Sequence, residues 1–185
     1  MNTSSINPEA LITATREWID RVVIGHNFCP FARFVRTPET IHYVVSQSYK
    51  PDDLMLELYQ ECQRLDANDA ISTTLLITPA LKQFERYLDI LELAQVMLEQ
   101  WNYEGIYQLA SFHPQYQFEG EAANAPSNYT NRSPYPVLHI LREADITRVM
   151  DDYADPHSIF ENNMAETDKQ GCGHFENLLK QCRTR

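Results

Sequence analysis

Four places in the 185-residue chain carry side chains whose types and spacing can do chemistry. The first is Cys29, in the run from Gly25 to Phe34, GHNFCPFARF. If Pro30 opens a helix, Cys29 is its N-cap, and a thiol there faces unpaired backbone N–H groups and the positive end of the helix dipole. Arg33 lies one turn on and Arg36 follows. Such surroundings lower a thiol pKa and produce a nucleophile at neutral pH. The plainer expectation is a small apolar side chain buried between Phe28 and Phe31. The second place is His113, between Phe112 and Pro114 at the end of a strand-like run. An imidazole there can act as a general base or a metal ligand, or simply bond the backbone of its own loop. Third, His139 and Glu143 share one face if their segment is helical. Together with His113 they would form a two-His, one-carboxylate set, so the cofactor these residues suggest is a zinc or iron ion. Fourth, Arg132 is the one Lys or Arg between 111 and 136. Its planar fork suits a carboxylate or phosphate, or an ion pair with Glu119 or Glu121. Asn128, Tyr129, Asn131 and Ser133 surround it in sequence. Tyr116 and Tyr129 can stack on a ligand and exclude water, whereas Asn131 and Ser133, close to prolines, can equally build turns.

Composition narrows the function classes. The net charge of -11 repels nucleic-acid phosphates and anionic lipid, so neither nucleic acid nor membrane is an expected partner. Only five glycines are present, with no G-x-G-x-x-G and no P-loop, which argues against the usual NAD and ATP folds. There is no G-x-S-x-G elbow and no H-E-x-x-H. The four cysteines form no C-x-x-C, and free thiols are expected. The first twenty residues show neither a basic n-region nor an apolar h-region, and no apolar run approaches bilayer length, so a cytoplasmic protein is expected.

The elements that must position these side chains follow from patterning. Asn7-Pro8, Thr78-Pro79 and Asp155-Pro156 each read as an N-cap followed by a proline at the first helical position, and Gly25 as a left-handed stop to the first helix. β-rich runs at 41–46, 71–78 and 105–112 alternate with helix-patterned segments at 51–65 and 80–101. The last third, from 137, reads as two helices. The expectation is one domain over 1–185 with its core at about 8–175. Its class is α/β (or α+β): a small, mainly parallel three-stranded sheet, and a long aromatic loop before two C-terminal helices. The loop, 111–136, leaves the carboxyl end of the third strand, where open α/β sheets bind ligands. It holds five aromatic residues and no Val, Ile, Leu or Met, a composition that disfavours disorder.

The stretches WIDRVVIGHNFCPFA (18–32), STTLLITP (72–79), ASFHPQYQF (110–118) and NYTNRSPYPVLHILREA (128–144) resemble a bacterial family of uncharacterised proteins, domain of unknown function 1415. The similarity covers about 8 to 175. It implies a small bacterial cytoplasmic α/β protein and supplies no reaction. The C-terminal QGCGHF looks like a variant of the family's Leu-Gly-His ending, a departure at Cys172 and His174.

Taken together, these features favour a small-molecule enzyme with its site at the strand ends beneath the aromatic loop. Cys29, or a water held by a metal, would be the nucleophile, His113 the base, and Arg132 the anchor for an anionic group on the ligand. Asn128, Tyr129, Asn131 and Tyr116 would complete substrate binding. The alternatives are a non-catalytic binding or partner module that docks through its aromatic loop, and a thiol or metal sensor. Convergence of Cys29, His113, Arg132, His139 and Glu143 on one pocket is what the enzyme requires; the partner module leaves them pointing in unrelated directions, and the sensor differs from the enzyme only in lacking turnover.

Overall fold

A computed structural model describes residues 7–151 and 157–184. Four strands form one sheet: β1 (Ile41–Val45), β2 (Thr73–Ile77), β3 (Tyr107–Phe112) and β4 (Val137–Arg142), in the order β1-β2-β4-β3. β1 and β2 pair in parallel, and β4 pairs antiparallel with both β2 and β3. The three expected strands therefore point the same way. β2 and β3 are not neighbours, however, because β4 lies between them. The expected three-stranded, mainly parallel sheet is corrected to a four-stranded mixed one.

The extra strand is the segment expected to begin a helix. Val-Leu-His-Ile-Leu is apolar but for His139, and a short run of this kind suits a strand buried on both sides as well as a helix. The slot between β2 and β3 decides the matter, since each of those strands offers β4 a row of otherwise unpaired N–H and C=O groups. Leu75 then sits opposite His139, and Ala110 opposite the same histidine on the other side. After β4, the described residues form three helices, α5 (Glu143–Asp151), α6 (His157–Gln170) and α7 (Cys172–Arg183), where two were expected.

Alternation along the strands supplies two cores. On one face, α3 (Pro51–Ala67) and α4 (Phe84–Gln100) pack Leu58, Leu65, Tyr87 and Ile90 against Leu76, Leu138 and Ile140. On the other, α1 (Pro8–Trp18), α2 (Pro30–Arg36) and α7 pack Trp18, Phe31 and Phe175 against Leu75, Ile77, Val137 and Leu141. All five residues of β2 are buried, as expected of a central strand covered on both sides.

The capping expectations divide. Asn7 caps α1, accepting from the Glu9 N–H at 3.2 Å, with Pro8 at the first helical position. Cys29 and Pro30 take the same positions in α2. Thr78-Pro79 opens a turn instead, and α4 starts at Phe84 behind Gln83. Asp155-Pro156 lies outside the described residues. Gly25 has an ordinary right-handed φ of -59°. Glycine is required there by close approach: it ends a π-helical turn, Ile19–Ile24, and a Cβ would stand 2.3 Å from the Arg21 carbonyl oxygen. Among the described residues, no helix is long and apolar enough to cross a membrane.

Candidate functional site

A cleft of about 670 Å³ runs beside β3 on the α2 face of the sheet. Gln108 and Phe112 of β3 and Leu141 of β4 line it from the sheet. Phe28, Cys29 and Phe31 line the side where α2 begins. Ile146, Val149 and Met150 of α5 face Ile159, Phe160 and Met164 of α6. The aromatic loop contributes Phe118, Ser127, Thr130 and Asn131, with Glu119 and Glu121 at the exposed rim. The volume lies within the ordinary range for small-molecule sites, and the lining is the usual mixture of hydrophobic walls with few polar groups. No Lys or Arg lines it among the described residues. The Ser127 hydroxyl is buried with no hydrogen-bond partner among the described residues.

Cys29 is half-buried in this lining. Its backbone is extended, as an N-cap requires, with φ -134°. Burial nevertheless pushes the thiol pKa above its ordinary value, outweighing the backbone N–H groups of Ala32 and Phe31, which act the other way. Arg36 does not offset this, because its guanidinium is engaged by Asp20 at 2.8 Å and by Glu39. The expected low-pKa thiolate is thus corrected: removing the thiol from water costs more than two helix amides return.

His113 is fully buried on the α4 side, its ring 5.1 Å from those of Phe84 and Tyr87. Nδ1 accepts from the Gln115 N–H at 3.0 Å, so Nε2 carries the proton and donates to the Leu81 carbonyl at 3.0 Å. Both nitrogens are committed to backbone, and burial holds the pKa below its ordinary value. The expected general base is a loop anchor. His139, on a strand, gives its Nε2 to Thr73 Oγ1 at 2.7 Å, and Thr73 passes its own hydrogen to the Ile140 carbonyl at 2.5 Å. Burial lowers its pKa to about 4. Glu143 begins α5, where its N–H bonds the Ile106 carbonyl at 3.0 Å. Four residues along a strand span about 13 Å, so His139 and Glu143 do not form the helical pair that was expected. With His113 on the opposite face, these three side chains do not make a metal centre.

The loop residues answer to the loop itself. Arg132 donates to the carbonyls of Tyr116 at 3.1 Å and Ala123 at 2.7 Å, and lies over the Tyr129 ring at 4.6 Å. Neither an anion anchor nor an ion pair with Glu119 or Glu121 results. Asn128, fully buried, accepts from the Phe118 N–H at 3.0 Å and donates to the Ala122 carbonyl at 2.8 Å. Asn131 ties the two ends together, donating to the Ser111 carbonyl at 3.0 Å, and it also lines the cleft. The buried Tyr129 stacks on Phe175 at 5.5 Å and donates to Glu176 at 3.0 Å. Tyr116 packs against Phe84 and Phe118. Ser133 donates to the Tyr135 carbonyl at 2.6 Å. Of the five side chains expected to converge, only Cys29 lines the cleft.

Sequence reasoning missed a second polar group. His26 Nδ1 lies 2.8 Å from Glu166 Oε1, and its Nε2 lies 3.1 Å from His174 Nε2. Glu166 also accepts from Gln170 at 3.0 Å. The His26 ring stacks on Phe28, a cleft residue, at 5.6 Å. His26 and Cys29 stand in one short run, but the partners of His26 lie 140 and 148 positions away on α6 and α7. No local spacing reveals them.

A mixed α/β sheet, helices on both faces, and an apolar cleft with a thiol in its wall define the class of molecule: an α/β protein with a small-molecule-sized cavity. The chain belongs to the family described as Protein of unknown function (DUF1415), whose family model matches residues 10–177. Comparison with curated proteins and with solved structures returns no match.

Proposed function

We propose that this protein binds a small molecule with an apolar body, neutral or cationic rather than anionic, in the cleft beside β3, with the Cys29 thiol against the ligand. The observation that carries this is the cleft itself, about 670 Å³ and walled by aromatic and aliphatic side chains. The polarity of the ligand follows from its lining. Gln108 and the Ser127 hydroxyl, which has no hydrogen-bond partner among the described residues, can fix the orientation of a polar group, the acidic pair Glu119 and Glu121 disfavours an anion, and no cationic side chain among the described residues compensates. Among the described residues, no imidazole hydrogen-bonds the Cys29 sulfur, and burial keeps the thiol protonated at neutral pH. Binding is therefore better supported than a preformed thiolate catalyst, and any attack by Cys29 needs the bound ligand to take the proton.

Nile red, a neutral apolar fluorophore, tests the proposal. It is expected to bind saturably at one site per chain, and to lose at least tenfold in affinity in Gln108→Trp and in Met164→Trp, whose indoles fill the cleft. Undiminished binding by both filled variants, each with a native unfolding transition, would overturn it.

A further inference from the structure

We propose that His26 and His174 form a site for a divalent transition-metal ion, zinc or an ion of similar preference, held by the two Nε2 atoms and oriented by Glu166. This site is separate from the cleft, and its test does not depend on cleft binding.

The spacing is the first support. The two Nε2 atoms face each other at 3.1 Å, with the rings nearly perpendicular at 84° and centroids 5.0 Å apart. Two nitrogen ligands, each about 2.0–2.1 Å from a tetrahedral zinc, stand about 3.3 Å from each other. The imidazoles are thus already at ligand spacing, and an ion needs only a small adjustment to enter.

The proton inventory is the second. An imidazole ligates through a lone pair, so the other ring nitrogen must carry the hydrogen. On His26 that hydrogen is placed by Glu166, whose Oε1 accepts from Nδ1 at 2.8 Å, so in the neutral ring Nε2 is the nitrogen that presents a lone pair. A carboxylate on the far nitrogen is the usual support of a metal-bound histidine. Glu166 is itself held, by Gln170 at 3.0 Å and by Lys169 at 3.8 Å. Without metal, His174 donates its Nε2 hydrogen to His26. Its Nδ1 has no hydrogen-bond partner among the described residues, so the hydrogen can move there and free the second lone pair without breaking another bond.

The surroundings are the third. The Phe175 ring lies 4.9 Å from His26 and 5.1 Å from His174, and Phe28 covers the other side of His26. Aromatic walls lower the local polarity and strengthen ligation. Among the described residues, no third His, Cys, Asp or Glu joins the pair. The remaining positions therefore fall to water or to an exogenous ligand, the open arrangement of a site that exchanges ligands.

Chelator-treated, full-length protein is titrated with zinc by calorimetry and with cobalt by absorption. One ion per chain is expected, with affinity at least tenfold weaker in His26→Asn and in His174→Gln, and 10–100-fold weaker in Glu166→Gln. The cobalt spectrum is expected to lack a thiolate charge-transfer band. In the unmutated protein, zinc is expected to shift the ring nitrogens of both histidines, a readout that needs no variant to fold. The proposal is overturned by no saturable binding, by unshifted ring nitrogens at saturation, by binding unchanged in folded variants, or by a thiolate band assigning the ion to cysteine.

Discussion

At the scale of single residues, burial decides between chemistries that the sequence leaves open. Cys29 has the N-cap position, the following proline and the nearby arginines that a reactive thiol wants, yet its pKa moves upward because desolvation dominates. His113 and His139 carry the right side chain in the wrong setting, one between backbone groups and the other beneath a threonine. Residue type and neighbours were legible in the sequence, but the solvent each side chain meets was not. These histidines give the molecule a pH dependence. His42, His113 and His139 are all held below their ordinary values, chiefly by burial. The unfolded chain then binds protons more readily than the folded one, so stability falls as pH drops from about 6.5 through the folded value of about 4 for His139. The His139 share is at most about 1.4 kcal/mol per pH unit in that window. Urea unfolding at a series of pH values should show His139→Gln with a shallower decline than the unmutated protein. Parallel declines would remove His139 from the account.

At the scale of elements, alternation and capping made most of the fold legible. The positions of β1, β2 and β3 and the starts of α1 and α2 follow from local pattern, whereas the direction of β3 and the strand order do not. β4 was not legible because an apolar pentapeptide satisfies two periodicities, and only the empty slot between β2 and β3 chooses. Taking 137–142 for a helix also created the false pairing of His139 with Glu143. The long loop was legible as ordered and its Asn and Arg residues as important. Their targets, however, are carbonyls and N–H groups of the same loop, which only a folded backbone brings into reach. Asn128 is the clearest case. Asn128→Ala leaves the Phe118 N–H and the Ala122 carbonyl without their partner and should cost about 1–3 kcal/mol in urea unfolding. Because Phe118 lines the cleft, Nile red affinity should fall several-fold in the same variant. Unchanged stability would mean that the loop is held by its rings and not by this amide.

At the scale of the whole molecule, the sheet separates two tasks. The α3–α4 face is closed, with Leu54, Leu58, Leu76, Leu138 and Tyr87 fully buried. The opposite face is closed near β1 and β2, where α1 and α7 pack, and open beside β3, where α5, α6 and the aromatic loop leave the cleft. The methionines fall on both sides of this division and give an internal control. Met150 and Met164 line the cleft, whereas Met55 is buried in the closed core and Met97 packs against it. Methyl-labelled methionine followed by NMR during titration with Nile red is the most direct measurement. The cleft account predicts that the Met150 and Met164 signals move together and saturate, while those of Met55 and Met97 hold still. Saturated binding that leaves Met150 and Met164 in place, or that moves the closed-core methionines as much, would contradict it.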